Sequence, residues 1–395
     1  MIYLDHAATT PLLDCAFQAM LPWLRGELCG NPSSIHAAGR SARRAVEEAR
    51  ECVAALIGAD PEEIIFTSGG TEADNLALQG VAGSEWGSLF LVSEVEHPAV
   101  LHQAERLCNR HWIDTAYLTV DENGRVLPDC LRWMLNSNRR ASRLVSVLAA
   151  NNETGAVQPL AEIGEICKEC GVLFHTDAVQ AAGHMEIRVK ELGIHALSLS
   201  AHKFGGPDGV GALYTSRQVR DLMEPMLFGG GQERGKRAGT ENVAGIVGFG
   251  AAAKWTVEHM EEQREKYDGF KRLFLDIVMN GVSDAVQVNG GGEVLPNILN
   301  LTIPGVQSEA LLLMLDMDGV CISAASACSS GSPKHSHVLS AMGLDEESAA
   351  SSVRISFGHS NTAEEVQDAA TRLVKCANRI RAMYEHREDG YAETV

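Results

Sequence analysis

The chain has 395 residues, 45% of them hydrophobic and 22% charged, and a net charge of −19 at neutral pH. Such a length buries a large core, and such a charge excludes nucleic acid as a direct partner, because phosphates repel an acidic surface. No apolar run approaches the roughly 18 residues of a membrane span; the absence of a leader before Met1-Ile2-Tyr3-Leu4-Asp5 and ten scattered cysteines point to a reducing, cytoplasmic setting.

In chain order the pattern alternates amphipathic helices with short apolar strands. A helix is predicted over Ser41–Leu56, a strand over Ile64–Phe66 and a helix over Glu72–Gly80. Strands are predicted at Leu89–Val92, Leu144–Ala149, Leu173–His175, Ala196–Ser200 and Gly211–Tyr214, with a helix at Leu160–Cys170. The glycine-dense Phe228-Gly229-Gly230-Gly231-Gln232 reads as a functional loop. A long helix starts at Ala244 and is expected to end near Phe270. Beyond it, Val286–Val288, Ile298–Thr302 and Arg354–Ser356 predict strands of a second unit, and the polar tail His386–Val395 is expected to fray. The fold class is α/β: a large, mostly parallel-sheet domain and a smaller α/β domain. The expected boundaries are 15–257 for the large domain, with 1–14 and 258–395 forming the small one.

Lys203, in Ser200-Ala201-His202-Lys203-Phe204-Gly205-Gly206, follows a buried strand. A lysine desolvated there gives up its proton easily and suits a Schiff base with an aldehyde cofactor. Such a cofactor needs a phosphate cradle, which the strand–turn–helix sequence Ile64 to Ala73 supplies through Gly69-Gly70-Thr71; a plain βα turn is the alternative. Asp177 closes the strand at Leu173 and would balance a protonated pyridine nitrogen, or else cap a helix. Gln180 could donate to the ring oxygen or merely face solvent. Asn151-Asn152-Glu153-Thr154-Gly155 is a turn whose asparagines sit at a strand end. His97 could stack on a ring and move protons, or be structural. Arg354 offers a carboxylate fork, or an internal ion pair. Cys328, flanked by small residues, is a candidate nucleophile or a buried filler.

These blocks together resemble the cysteine desulfurases, within the class V aminotransferase-like group of pyridoxal phosphate enzymes. The resemblance runs from Tyr3-Leu4-Asp5-His6-Ala7-Ala8 through Gly30-Asn31-Pro32, Thr67 to Asn75, Glu96-His97, Asn151 to Gly155, Asp177 to Gln180 and Ser200 to Gly206. It ends with Arg237-Ala238-Gly239-Thr240, Ser326-Ala327-Cys328 and Arg354. It implies a fold type I pyridoxal phosphate-dependent transferase fold. Lys203 would bond the cofactor, with Gly70, Thr71, Ser200 and His202 on its phosphate and Thr240 joining them from the second subunit of a homodimer. Asp177, Gln180 and His97 would hold the ring, and Asn152 and Arg354 the carboxylate of L-cysteine. Cys328 would take the sulfur as a persulfide for an acceptor protein, and alanine would leave. Iron–sulfur cluster assembly, tRNA thiolation and DNA sulfur modification are the destinations the resemblance implies. One departure is Leu148-Ala149-Ala150, where relatives often carry a histidine.

Other patterns are set aside. Cys167-Lys168-Glu169-Cys170 falls in a helical pattern rather than at a redox turn. Cys328, His335 and His337 offer only three metal donors, so no metal is expected. Glu47/Glu48 and Glu261/Glu262 read as solvated helix faces. Selenocysteine lyase chemistry on the same cofactor, and a cofactor-dead partner protein, are the rival functional readings.

Overall fold

A computed structural model describes residues 1–83, 87–138, 142–282, 286–324 and 336–392. After a short first strand, β1 (Ile2–Tyr3), seven strands build one sheet: β2 (Ile64–Thr67), β3 (Ser88–Ser93), β4 (Ile113–Leu118), β5 (Ser142–Ser146), β6 (Leu173–Asp177), β7 (Ala196–Ser200) and β8 (Gly211–Thr215). Their order is β2-β8-β7-β6-β5-β3-β4. Only β8 runs antiparallel to its neighbours. Every residue of β2, β6, β7 and β8 is buried, because helices cover both faces of the sheet.

The sequence hides β4. It is an edge strand buried only at Ile113 and Leu118, so its exposed Asp114 and Tyr117 break the apolar run. The strand expected to reach Ala149 ends at Ser146. The chain nevertheless stays bonded to the end of β6, with Val147 N donating to His175 O and Ala149 N to Asp177 O at 3.2 and 2.8 Å. This carries Asn151 and Asn152 to the carboxyl ends of the parallel strands, where ligands of such sheets bind.

The helix expected to end near Phe270 runs unbroken from Val243 to Gly281. Phe270, Phe274 and Val278 repeat at four-residue spacing, so the apolar face continues into a second core. That core gathers Ile2 and Leu4 with Leu299, Ile355 and Phe357. It lies on a four-stranded antiparallel sheet of β9 (Gln287–Asn289), β10 (Ile298–Thr302), β12 (Ser323–Ala324) and β13 (Ser352–Ser356), ordered β12-β13-β10-β9. Between them in sequence, β11 (Val320–Cys321) pairs with β1. The first residues of the chain thus belong with its last third. The tail expected to fray is helical as far as Ala392, within the Ala363–Ala392 helix.

Candidate active site

A cavity of 220 Å³ opens where the carboxyl ends of β3, β5, β6 and β7 meet the start of the chain and Arg354 of β13. It exceeds the roughly 150 Å³ that accommodates benzene. Gly70, Thr71, Ser200 and His202 line one side, Asp177, Gln180 and His97 another, and Asn152, Arg354 and Lys203 the rest. The fold therefore brings together ten of the twelve residues singled out in the sequence. Thr240 borders a separate pocket with Thr67 and Ser68. Cys328 and His335 lie outside the described residues.

The Gly70–Ala82 helix begins immediately after the β2 turn, and Gly70 and Thr71 of its first turn, where helix amides lack intrahelical partners, line the cavity. A Cβ on Gly70 would stand 2.5 Å from Val179 Cγ2, so only glycine lets the helix start this close to the strand-end loop. Glu72 steadies the turn: its Oε2 accepts Ser68 N at 2.7 Å, and its Oε1 is paired with Arg237 Nε at 2.8 Å.

Asp177 is buried at the end of β6, with Oδ1 accepting Val179 N at 2.8 Å. Burial raises its pKa, against the opposing pull of the His97 imidazole, the Val179 amide and the Lys203 ammonium. His97 Nδ1 accepts Ala99 N at 3.1 Å and caps the Pro98–Asn109 helix. That bond leaves the ring proton on Nε2. Burial lowers the His97 pKa, countered by Asp177 and reinforced by Lys203, so the neutral imidazole is favoured.

Lys203 Nζ donates to the carbonyls of Ala7 and Ala8 at 2.6 and 2.9 Å, and Gln180 Nε2 shares the Ala7 carbonyl at 2.8 Å. The amino-terminal stretch is thus one wall of the site. His202 Nδ1 lies 3.1 Å from Thr9 Oγ1, on the same stretch.

Arg354 borders the cavity and shows the internal ion pair of its two readings. Nη2 pairs with Asp5 Oδ1 at 2.8 Å and Nη1 donates to Asn152 O at 2.9 Å, which is the internal ion pair. Its buried Nε has no partner among the described residues. The two asparagines divide the work. Asn151 Oδ1 accepts the amides of Glu153 and Thr154, fixing the turn, and Asn152 faces the cavity.

Sequence reasoning gave no role to Asp74, a fully buried carboxyl that also lines the cavity. Its place four residues after Gly70, on the apolar face of the helix, was the available signal. Nor did it single out Glu153, whose Oε2 accepts Ser336 Oγ and whose pKa burial pushes up to about 7. The decoys are quiet. Cys167 and Cys170 sit in the Leu160–Cys170 helix, and burial raises the Cys167 thiol to about 12. His337 Nε2 contacts Glu96 O at 3.0 Å.

The residues fit pyridoxal phosphate. A helix start accepts its phosphate, a buried carboxylate accepts a cationic ring nitrogen, a neutral imidazole can lie on the ring, and a lysine amine reaches the same cavity. An unpartnered buried guanidinium nitrogen suits the carboxylate of an amino acid.

The aminotransferase class-V family pattern matches residues 2–368. A protein of Dictyoglomus turgidum named cysteine desulfurase IscS is 44% identical over 98% of this chain and 97% of its own length. A solved NifS-like protein superposes with a TM-score of 0.87 at 34% identity, covering 95% of this chain and 98% of that one. A structure of SspA in complex with cysteine superposes with a TM-score of 0.80 at 34% identity, over 90% of this chain and 99% of the other.

Proposed function

The chain belongs to the aminotransferase class-V family as a pyridoxal phosphate-dependent cysteine desulfurase of fold type I; from that premise we propose how its own residues convert L-cysteine to L-alanine and capture the sulfur. The observation that carries the proposal is the single cavity that joins the helix start at Gly70 with Asp177, His97, Lys203 and Arg354.

Gly70, Thr71, Ser200 and His202 would hold the cofactor phosphate, Asp177 and Gln180 the ring edge, His97 its face and Lys203 Nζ its aldehyde carbon. The bound cofactor supplies an electron sink that acidifies the substrate Cα–H. Arg354 Nε and Asn152 bind and orient the substrate carboxylate. Lys203 Nζ would serve as the general base for the substrate Cα proton. The Cys328 thiolate attacks the substrate sulfur. The new S–S bond forms as the substrate C–S bond breaks, and Cβ retains the electron pair and gains a proton. Lys203 Nζ would return a proton to Cα, alanine leaves, and Cys328 keeps a persulfide.

The persulfide is then available to an acceptor protein, and iron–sulfur cluster assembly is the destination we favour. The working unit would be a homodimer in which Thr240 reaches the partner's phosphate site. Residues 15–257 would form the cofactor domain, and 1–14 with 258–395 the domain carrying Cys328. No described helix is long and apolar enough to cross a membrane, and we place the enzyme in the cytoplasm. Lys203→Ala tests the arrangement: the variant should lose covalently held cofactor absorbance and all alanine formation. Turnover at the wild-type rate without Lys203 would overturn it.

A further inference from the structure

Two carboxyls, Asp74 and Asp177, line the cavity, and the reaction described above uses one of them. Asp74, Asp177 and His97 each present a ligand atom within 4.8 Å of the other two. Glu96 is buried beside them, next to His97 in the chain. Beneath lies His175, fully buried, with Nδ1 2.9 Å from Ser146 Oγ and Nε2 3.1 Å from Ser198 Oγ. Ser146 Oγ also lies 3.4 Å from Glu96 Oε1. Asp74 Oδ1 stands 3.7 Å from His175 Nε2 and has no hydrogen-bond partner among the described residues.

Charge and geometry together limit how these groups ionise. Two carboxylates this close in a dry pocket cannot both hold full charge, and the one with fewer donors keeps the proton. Asp177 has donors: the Val179 amide at 2.8 Å, with the His97 and Lys203 side chains facing it. Asp74 has burial and the Asp177 charge against its ionisation, and Ser198 as its helper. The same holds for Glu96, which burial and Asp177 together drive to the neutral form. The imidazole below offers no compensating cation, because burial lowers the His175 pKa to about 3.

We propose that Asp74 is a neutral carboxylic acid at physiological pH and forms a one-proton pair with Asp177, so that the floor of the cavity presents a single negative charge. Resting on the cofactor reading above, this makes Asp74 a positioning residue. Its proton would face the Asp177 carboxylate, which lies within 4.8 Å, and would help position it toward the ring nitrogen, whereas an ionised Asp74 would set a second negative charge beside it. The pairing also accounts for an acidic side chain on the buried face of a helix, where an ionised Asp74 would be strongly unfavourable.

The test uses the full-length holoenzyme and two variants, Asp74→Asn and Asp74→Leu. Infrared spectroscopy at pH 8 should show the carbonyl band of a protonated carboxylic acid in the wild type, and Asp74→Asn should lose intensity there. Asparagine keeps a neutral donor, so the pH midpoint of the Lys203–cofactor absorbance should stay within about 0.3 of the wild-type value. Removal of a charged neighbour would move it by about 1 or more. Asp74→Leu, which removes the donor, should weaken cofactor binding roughly 10- to 100-fold, with Asp74→Asn close to wild type. An unchanged infrared band, or a midpoint displaced by about 1 or more in Asp74→Asn, would overturn the proposal. The infrared result stands even for protein lacking cofactor absorbance, so failure of the cofactor reading and failure of the proton pair are distinguishable.

Discussion

Replacing Gly70 by alanine probes the phosphate cradle with one methyl group. The new Cβ would lie 2.5 Å from Val179 Cγ2, where ordinary contact begins near 3.4 Å, so the two chains must part by about 1 Å. Val179 yields poorly, because its β-branched side chain is stiff and its amide is tied to Asp177 Oδ1 at 2.8 Å. The strain therefore reaches both ends of the cofactor site: the amides at the helix start and the carboxylate under the ring. Overpacking of this kind costs about 1–3 kcal/mol, or roughly 5- to 150-fold in cofactor Kd if it is relieved by moving the cradle. Fluorescence titration of cofactor-free protein with pyridoxal phosphate gives that Kd directly. The denaturant midpoint of the cofactor-free variant should hold, and adding Val179→Ala should restore binding. Wild-type affinity in Gly70→Ala, or no recovery in the double variant, would refute the reasoning.

Three further outcomes follow from the same geometry. Arg354→Lys removes the fork that spans Asp5 and Asn152 and presents Nε; KM for L-cysteine should rise roughly 10- to 100-fold in steady-state assays while cofactor absorbance persists. Glu233 accepts Arg50 Nη1 and Nη2 at 2.8 and 2.9 Å and Phe66 N at 2.8 Å, all buried, so Glu233→Ala should cost about 3 kcal/mol in urea denaturation, the low end for a broken buried pair because Arg50 keeps Glu47 and the Ile64 carbonyl. His184 is partly buried, and desolvation lowers its pKa to about 4, below the roughly 6.5 of the unfolded chain. As pH falls the unfolded chain binds that proton first, so the stability His184 contributes is complete above pH 6.5 and lost on descent toward pH 4. Between pH 7 and 5 this is about 2 kcal/mol, and His184→Gln should flatten the pH dependence of the urea midpoint accordingly.

Much of the site was legible because its residues sit at strand ends, where apolar runs stop and a polar residue is conspicuous. Asp177 after Leu173–Thr176 and Lys203 after Ala196–Ser200 are of this kind. Elements that lack such contrast were lost. β4 is a half-exposed edge strand without an apolar run, and the long helix continued because Phe274 and Val278 serve a different core from Phe249. Asp74 escaped for a related reason. Its polarity reads as a surface position unless its place on the apolar face of the helix is weighed, and the fold shows that the carboxyl comes within 4.8 Å of Asp177 across about 100 residues of sequence. The ion pair of Arg354 with Asp5 likewise joins the two ends of the chain, which no local pattern relates.

The central claim, that Cys328 takes the substrate sulfur, is tested most directly by mass spectrometry of the peptide containing Cys328 after one turnover with L-cysteine, alongside quantitation of alanine. One added sulfur atom on Cys328 for each alanine formed, and no alanine burst from Cys328→Ala despite normal cofactor absorbance, is the predicted result. An unmodified Cys328 peptide, or undiminished alanine formation by Cys328→Ala, would contradict it.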